Sequence, residues 1–346
     1  MLEGGNPPIM ILPDVTFQKY HDEGIPLPFE ATPQKIKQEL ERRLPDVRID
    51  LASDSDAVRR MIGDAQILLA DRLSLERLDT ARRLRWVQFP GSGPDHFFKL
   101  SGTTPNDFKK RNIKLLNSPG ISRGPVAEHV IALALALSRG IHRAVRQQIR
   151  HEWRIFCGEE LRGKICGIIG LGEIGSRVAE LAKAFGMRVI GTCRHPDKHS
   201  SAGDEVYGPA QNDKIISEAD ILVLACPLTE ETRGLMGRRQ FELMKRTALF
   251  INVSRGENVD EGALVEALKN QQIAGAGLDT FGPLDTSSHK LMEALSPTSE
   301  LWDIESVIIT PNNAASTPHY YEYFADMVAE NYRRAQGGRP FISEVA

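Results

Sequence analysis

The sequence predicts an α/β protein of two domains, each a parallel sheet with helices on its faces, separated by a cleft. Three observations predict it. At 346 residues the chain is longer than one hydrophobic core usually serves. Short apolar runs alternate with amphipathic stretches along most of its length, which is the signature of strand-helix-strand units. A glycine-rich turn at Gly170, Gly172 and Gly175 follows an apolar run and opens a stretch of helical spacing.

In chain order, residues 9–13, 47–51, 66–70, 84–89 and 113–116 read as strands, and residues 33–44 and 56–62 as helices between them. A long helical pattern over residues 126–150 follows. A second series then begins at Lys164, with six strands expected at 165–170, 188–191, 221–225, 248–253, 275–279 and 307–310. Residues 318–336 read as one amphipathic helix that returns to the first domain, making that domain discontinuous in sequence. The loop 282–299 is polar and long for a connection, so it is a candidate lid or insertion.

Composition narrows the function classes. With 41% hydrophobic and 26% charged residues and a net charge of −3, the chain has no electrostatic bias toward nucleic acid or membrane, and neither is an expected partner. The four cysteines, Cys157, Cys166, Cys193 and Cys226, show no CxxC spacing and no disulfide framework, which fits a reducing, cytoplasmic compartment, and no metal site is expected. Residues 1–8 lack the basic and apolar regions of a secretory signal, and the most apolar run, 130–137, is too short to span a bilayer.

The turn Gly170-Leu171-Gly172-Glu173-Ile174-Gly175 sits between strand and helix, the context in which it carries meaning. Gly170 permits the tight turn, Gly172 lets the backbone approach a pyrophosphate, and Gly175 lets helix and strand pack closely. The helix N-terminus then holds the anion, with Glu173 and Ile174 at its first turn. These features predict a Rossmann-like dinucleotide-binding domain over residues 122–316, beside a second, flavodoxin-like α/β domain of residues 1–121 plus 317–346, to which the family resemblance described next assigns substrate binding. At the end of the second strand, where an NAD site places an acidic residue for the ribose hydroxyls, the chain has Cys193-Arg194-His195. A carboxylate there repels a 2′-phosphate and Arg194 pairs with it, so NADP is favoured; with Arg194 merely solvated, NAD binds without the acidic contact.

Several separated motifs resemble the D-isomer-specific 2-hydroxyacid dehydrogenase family, from about Leu84 to Phe341. They are Asn117-Ser118-Pro119-Gly120 leading to Val126-Ala127-Glu128, the stretch 153–175, Pro227-Leu228-Thr229-Glu230-Glu231-Thr232, Met244-Lys245, Asn252-Val253-Ser254-Arg255-Gly256, the stretch 275–281, and Thr310-Pro311. The resemblance implies a homodimer of two-domain subunits and hydride transfer between a 2-keto acid and its D-2-hydroxy acid, with substrate and nicotinamide meeting in the cleft. It implies that Arg255 holds the substrate carboxylate and carbonyl, a task suited to a planar, always-charged guanidinium. It also assigns backbone donors for the carboxylate to the Gly91-Ser92-Gly93 loop, chiefly Ser92 and Gly93, and an apolar substrate-facing position to Ile121. Asp279 is expected beside the nicotinamide ribose, Cys226 and Pro227 on the adenine side, and Thr232 and Val253 among the cofactor contacts.

The chain departs from the family pattern in its proton chemistry. The family's general acid is a histidine directly after Thr-Pro, where this chain has Asn312. An amide orients or polarises a carbonyl but does not exchange a proton near neutral pH. The glutamate that tunes that histidine falls on Leu284, with Asp285 one residue away, and His289 and His319 are the substitutes the sequence offers. Three readings follow: an NAD(P)-dependent oxidoreductase acting on a small carboxylate substrate by a different proton route; an enzyme using bound NAD(P) transiently in an elimination or isomerisation; and a dinucleotide-sensing regulatory protein without turnover.

Overall fold

The computed structural model describes residues 7–12, 32–198, 201–282 and 295–345. The chain divides into two compact units, residues 1–122 with 316–346, and residues 123–315.

Unit 1 is built on a parallel sheet of β1 (Ile9–Ile11), β2 (Ile49–Leu51), β3 (Ile67–Leu69), β4 (Trp86–Gln88) and β5 (Lys114–Leu116), in the order β2-β1-β3-β4-β5. β1, β3 and β4 are buried throughout. A strand covered on both faces reads as a continuous apolar run, not an alternating one. The helices are α1 (Pro33–Arg43), α2 (Ser55–Met61), α3 (Leu75–Thr80), α4 (Pro94–Ser101) and α5 (Pro105–Lys109). α1 starts where it does because the Thr32 hydroxyl accepts the Lys35 amide and Pro33 occupies the first turn. The last helix, α12 (Tyr320–Gln336), packs on α1, burying Tyr321, Phe324, Val328 and Tyr332 in the unit 1 core. The helix expected to return to the first domain is therefore part of unit 1.

Unit 2 carries a fully parallel seven-stranded sheet: β6 (Ile165–Ile169), β7 (Arg188–Thr192), β8 (Glu205–Tyr207), β9 (Ile221–Leu224), β10 (Leu249–Asn252), β11 (Gly275–Leu278) and β12 (Val307–Ile309). Its order is β12-β11-β10-β9-β6-β7-β8, so the winding reverses between β6 and β9. Helices α6 (Arg123–Ser138), α7 (Ile141–Ile149), α8 (Glu173–Ala184), α9 (Asn212–Glu218), α10 (Arg238–Leu243) and α11 (Glu261–Lys269) complete it.

In unit 1, α3, α4 and α5 are helices that the sequence pattern did not single out, and in unit 2 two further elements differ from the sequence-based expectation. β8 is a seventh strand, missed because Glu-Val-Tyr is short and half-exposed at the sheet edge. The helix expected over 126–150 breaks at Gly140, whose φ of 67° is left-handed, so α7 leaves at a new angle. The stretch Pro119–Ser138 is long and apolar enough to cross a bilayer by composition alone, yet within unit 2 α6 packs on α8, β10 and β11 and buries residues such as Val130, Leu133 and Ala134.

Candidate active site

The glycine turn has the geometry of a dinucleotide loop. Gly170 lies at φ 106°, and a Cβ there would sit 2.6 Å from the Cys226 amide nitrogen. A Cβ on Gly175 would sit 2.1 Å from the Gly170 carbonyl oxygen, so strand and helix pack closer than any side chain allows. A Cβ on Gly172, by contrast, would meet nothing within 4 Å. The turn is therefore closed on its protein side and open above Gly172, at the N-terminus of α8, where a pyrophosphate needs backbone amides. Glu173 is exposed there and Ile174 half-buried. The residues present fit the diphosphate of a dinucleotide.

Past the end of β7, Cys193 is half-buried, and Arg194 and His195 are exposed. The Glu231 carboxyl is held below the usual carboxylate range, first by the Thr229 hydroxyl, with the charge of Arg194 contributing. The charge of Arg194 therefore reaches the turn after β9 that contains Pro227 and Thr232. Thr232 is committed inside this turn: its hydroxyl accepts the Thr229 amide and donates to the Pro227 carbonyl, both at 2.7 Å. Pro227 itself is exposed.

The C-terminal ends of β9 to β12 gather the polar residues. At β10, Asn252 Oδ1 accepts the Ser254 amide at 3.1 Å and hydroxyl at 2.7 Å, while Asn252 Nδ2 donates to the Arg255 carbonyl at 3.2 Å, fixing the turn that presents Arg255. Asn258 donates to the Ser254 hydroxyl at 3.1 Å from a fully buried position. Arg255 is half-buried and donates from Nη1 to the Ser254 carbonyl at 2.8 Å. Val253 and Cys226, just past the ends of the adjacent strands β10 and β9, are buried, and burial pushes the Cys226 thiol up to about 12.

At β11 and β12 the sequence-based reading overlooked a histidine. Asp279, buried, accepts the Thr310 hydroxyl at 2.6 Å and the amides of Asn313 and Ala314, both at 3.1 Å. His129, on α6, places Nε2 2.9 Å from the Thr310 hydroxyl and 3.7 Å from Asp279 Oδ1. Since the Thr310 hydrogen is spent on Asp279, His129 donates to Thr310. Burial holds the His129 imidazole below its ordinary range, opposed by the Asp279 charge. Burial pushes the Asp279 carboxyl up, and the Thr310 hydroxyl, His129 and the two amides push it back. Asn312 stands in the loop these bonds hold, half-buried, at a left-handed φ of 51°.

Of the other histidines weighed, His319 is on unit 1, exposed and paired with Glu322 at 3.1 Å. Leu284, Asp285 and His289 lie outside the described residues.

In unit 1, the loop entering α4 turns its carbonyls inward. The Phe89 carbonyl accepts the Ser118 hydroxyl at 2.9 Å, the Pro90 carbonyl the Tyr320 hydroxyl, the Gly91 carbonyl the Ser118 amide at 2.7 Å, and the Ser92 carbonyl the Asn117 side-chain amide at 2.6 Å. With four successive carbonyls engaged, the turn offers its amides at the N-terminus of α4, where Gly93 is the cap. The buried Ser92 hydroxyl has no hydrogen-bond partner among the described residues. Ile121 is buried in the unit 1 core.

A doubly wound parallel sheet, a glycine turn open to a diphosphate at its switch point, and a guanidinium and an amide past the ends of β10 and β12, two strands apart, define an NAD(P)-dependent oxidoreductase. The family model for the NAD binding domain of D-isomer specific 2-hydroxyacid dehydrogenases matches residues 131–314. The chain belongs to that family. It is 38% identical over 275 residues to a glyoxylate reductase of Aeropyrum pernix, covering 76% of this chain and 77% of that one. A D-isomer specific 2-hydroxyacid dehydrogenase family protein of Aeromonas salmonicida superposes with a TM-score of 0.74 at 28% identity, covering 98% and 99% of the two chains. A D-isomer specific 2-hydroxyacid dehydrogenase of Xanthobacter autotrophicus, solved with NADPH and MES, shares the fold at a TM-score of 0.78 and 24% identity, covering 99% and 98%.

Proposed function

We propose that the protein uses NADPH to reduce the carbon next to a carboxylate in a small 2-oxo acid or a compound derived from one. Residues 122–316 are its dinucleotide-binding domain, and residues 1–121 with 317–346 its substrate-binding domain. The observation that carries the reading is Arg255, braced by Asn252 and Ser254 at the end of β10, on the side of the switch point where the nicotinamide half of a dinucleotide lies. The similarity to glyoxylate reductases agrees with a small 2-oxo acid.

When bound, the nicotinamide supplies or takes up hydride. The chain's own residues do the rest. Gly172 and the α8 N-terminus seat the diphosphate, Asp279 flanks the nicotinamide end, Arg255 binds the carboxylate in two-point fashion, and Asn312 hydrogen-bonds the atom that receives electrons. Val253, Cys226 and Pro227 line the strand ends beneath. The inward-turned carbonyls around Ser92 and Gly93 make that loop of unit 1 an anion-binding turn, and Ile121 supports it. The Asn312 amide is far too weak an acid to give up a proton near neutral pH, so the proton does not come from the position that ordinarily supplies it.

The preference for NADPH rests on Arg194, exposed past β7 with no acidic residue between Cys193 and His195. Titration of the wild type and Arg194→Ala with NADPH and NADH tests it. Tighter NADPH binding that is lost in the variant is expected; equal affinities in the wild type overturn the preference.

We also infer a homodimer in the cytoplasm. α7 has no buried residue and exposes Ile141, Val145 and Ile149 along one side, and Trp153 and Ile155 beyond it are 94% and 92% exposed. Large apolar side chains exposed in such number along one stretch call for a partner, and a second copy of the chain supplies the same side chains. The four cysteines are free thiols, in keeping with a reducing compartment.

A further inference from the structure

We infer that the substrate this site is built to reduce is a 2-imino acid, protonated on nitrogen, formed from a 2-oxo acid and an amine. The inference rests on the function proposed above, in which Arg255 holds a carboxylate and reduced nicotinamide delivers hydride.

The chemistry of the two acceptors differs in one respect. Hydride added to a ketone pushes the C=O electron pair onto oxygen, and the alkoxide formed needs an acid at hand. Hydride added to an iminium carbon pushes the C=N pair onto nitrogen, where it becomes the lone pair of a neutral amine. One hydride leaves the nicotinamide, which is oxidised. The iminium carbon is reduced, and no proton moves in the step; water protonates the amine afterwards. An iminium brings its proton with it.

The strand ends match that requirement. Asn312 offers a neutral carbonyl oxygen that accepts an iminium N–H, whereas a protonated histidine there would repel the cation. Asp279 lies at the end of β11, between the strand of Arg255 and the strand of Asn312; burial raises its carboxyl, and its three hydrogen-bond donors favour the charged form against that burial, as a cation beside it also would. Asn252, Leu278 and Ile309 are in register, and Arg255 and Asn312 each lie three residues further on. Their backbones are thus two strand spacings apart, about 10 Å, which an arginine side chain and a small acid together bridge. Positive, negative and neutral-acceptor groups in that order suit a zwitterion: carboxylate on Arg255, iminium toward Asp279 and Asn312.

The proton carriers nearby are engaged elsewhere. His129 gives its Nε2 hydrogen to Thr310, whose own hydrogen is on Asp279. Cys226 is buried and its thiol is pushed up to about 12.

The test uses the full-length protein with NADPH, and glyoxylate or pyruvate with and without ammonium or methylamine, with products identified by chiral chromatography and mass spectrometry. NADPH oxidation that depends on the amine is expected, with amino acid exceeding 2-hydroxy acid by about a hundredfold or more, the scale on which a general acid matters. Formation of 2-hydroxy acid at a rate the amine does not change overturns the inference and leaves the 2-oxo acid reading standing. No NADPH oxidation with any of these mixtures overturns both. A binding measurement stands beside the kinetics: with NADPH present, alanine is expected to raise the melting temperature and lactate not, and the reverse order counts against the inference.

Discussion

His142 illustrates how burial writes pH into a single residue. Its ring accepts no acidic partner at hydrogen-bond distance; Nδ1 meets the Ala136 carbonyl at 3.0 Å, and burial with Arg146 and Arg143 nearby holds the imidazole below its ordinary range. The unfolded chain therefore takes the proton first on acidification. The stability this residue contributes is present above about pH 6.5 and is lost as the pH falls through that value toward the lower folded one. His142→Gln should gain on the wild type in melting temperature between pH 7.5 and pH 5; a constant difference across that range contradicts the account. His129 shows why the site was only partly legible. It was read as an interior position of a long helix, and nothing in the spacing of residues 129, 279 and 310 announces that they meet. Arg255 was legible from its motif, but its support by Asn252 and Ser254 is a matter of geometry. Arg255→Lys keeps the charge and loses the two-point fork, so kcat/KM for 2-oxo acids should fall by about ten- to a hundredfold, measured as initial rates of NADPH oxidation, with unchanged NADPH affinity. An unaltered kcat/KM would remove Arg255 from the reaction.

At the scale of elements, the glycine turn separates folding from binding. Gly175→Ala drives a methyl group into the Gly170 carbonyl and should destabilise unit 2 by about 1–3 kcal/mol, whereas Gly172→Ala meets open space and should fold normally while weakening NADPH binding. Denaturant unfolding and fluorescence titration of both variants check this; matched losses of stability would contradict it. The loop proposed to bind the carboxylate, residues 91–93, is held from a distance as well. The Ser343 hydroxyl donates to Asn117 Oδ1, the Val345 amide pairs with the Leu115 carbonyl at 2.8 Å, and Asn117 in turn grips the Ser92 carbonyl. Asn117→Ala should raise KM for the acid several-fold with little change in NADPH affinity, read from steady-state kinetics, and an unchanged KM would detach the loop from substrate binding. Apolar runs made eleven of the twelve described strands readable, since burial and periodicity there point the same way. β8, half-exposed, and the break at Gly140 were hidden because a short polar edge strand and a single glycine carry little periodic signal. The locking of residues 89–92 was hidden because its donors come from residues 117, 118 and 320.

At the scale of the whole molecule, the exposed stripe from Ile141 to Ile155 carries the oligomer claim. Trp153→Asp with Ile155→Asp should give a monomer by light scattering at concentrations where the wild type is a dimer, and a wild-type monomer would contradict it. The order of the two sheets along the chain was legible because each is wound from its own continuous series of runs, with one terminal helix returning. The central claim, that a family member here binds its acid through Arg255 while lacking the acid's usual proton donor at 312, is tested most directly by steady-state NADPH oxidation with glyoxylate in the absence of amine. The account predicts a slow wild type, no detectable rate for Arg255→Ala, and an increase of about a hundredfold for Asn312→His. A wild-type rate that Asn312→His leaves unchanged would contradict it.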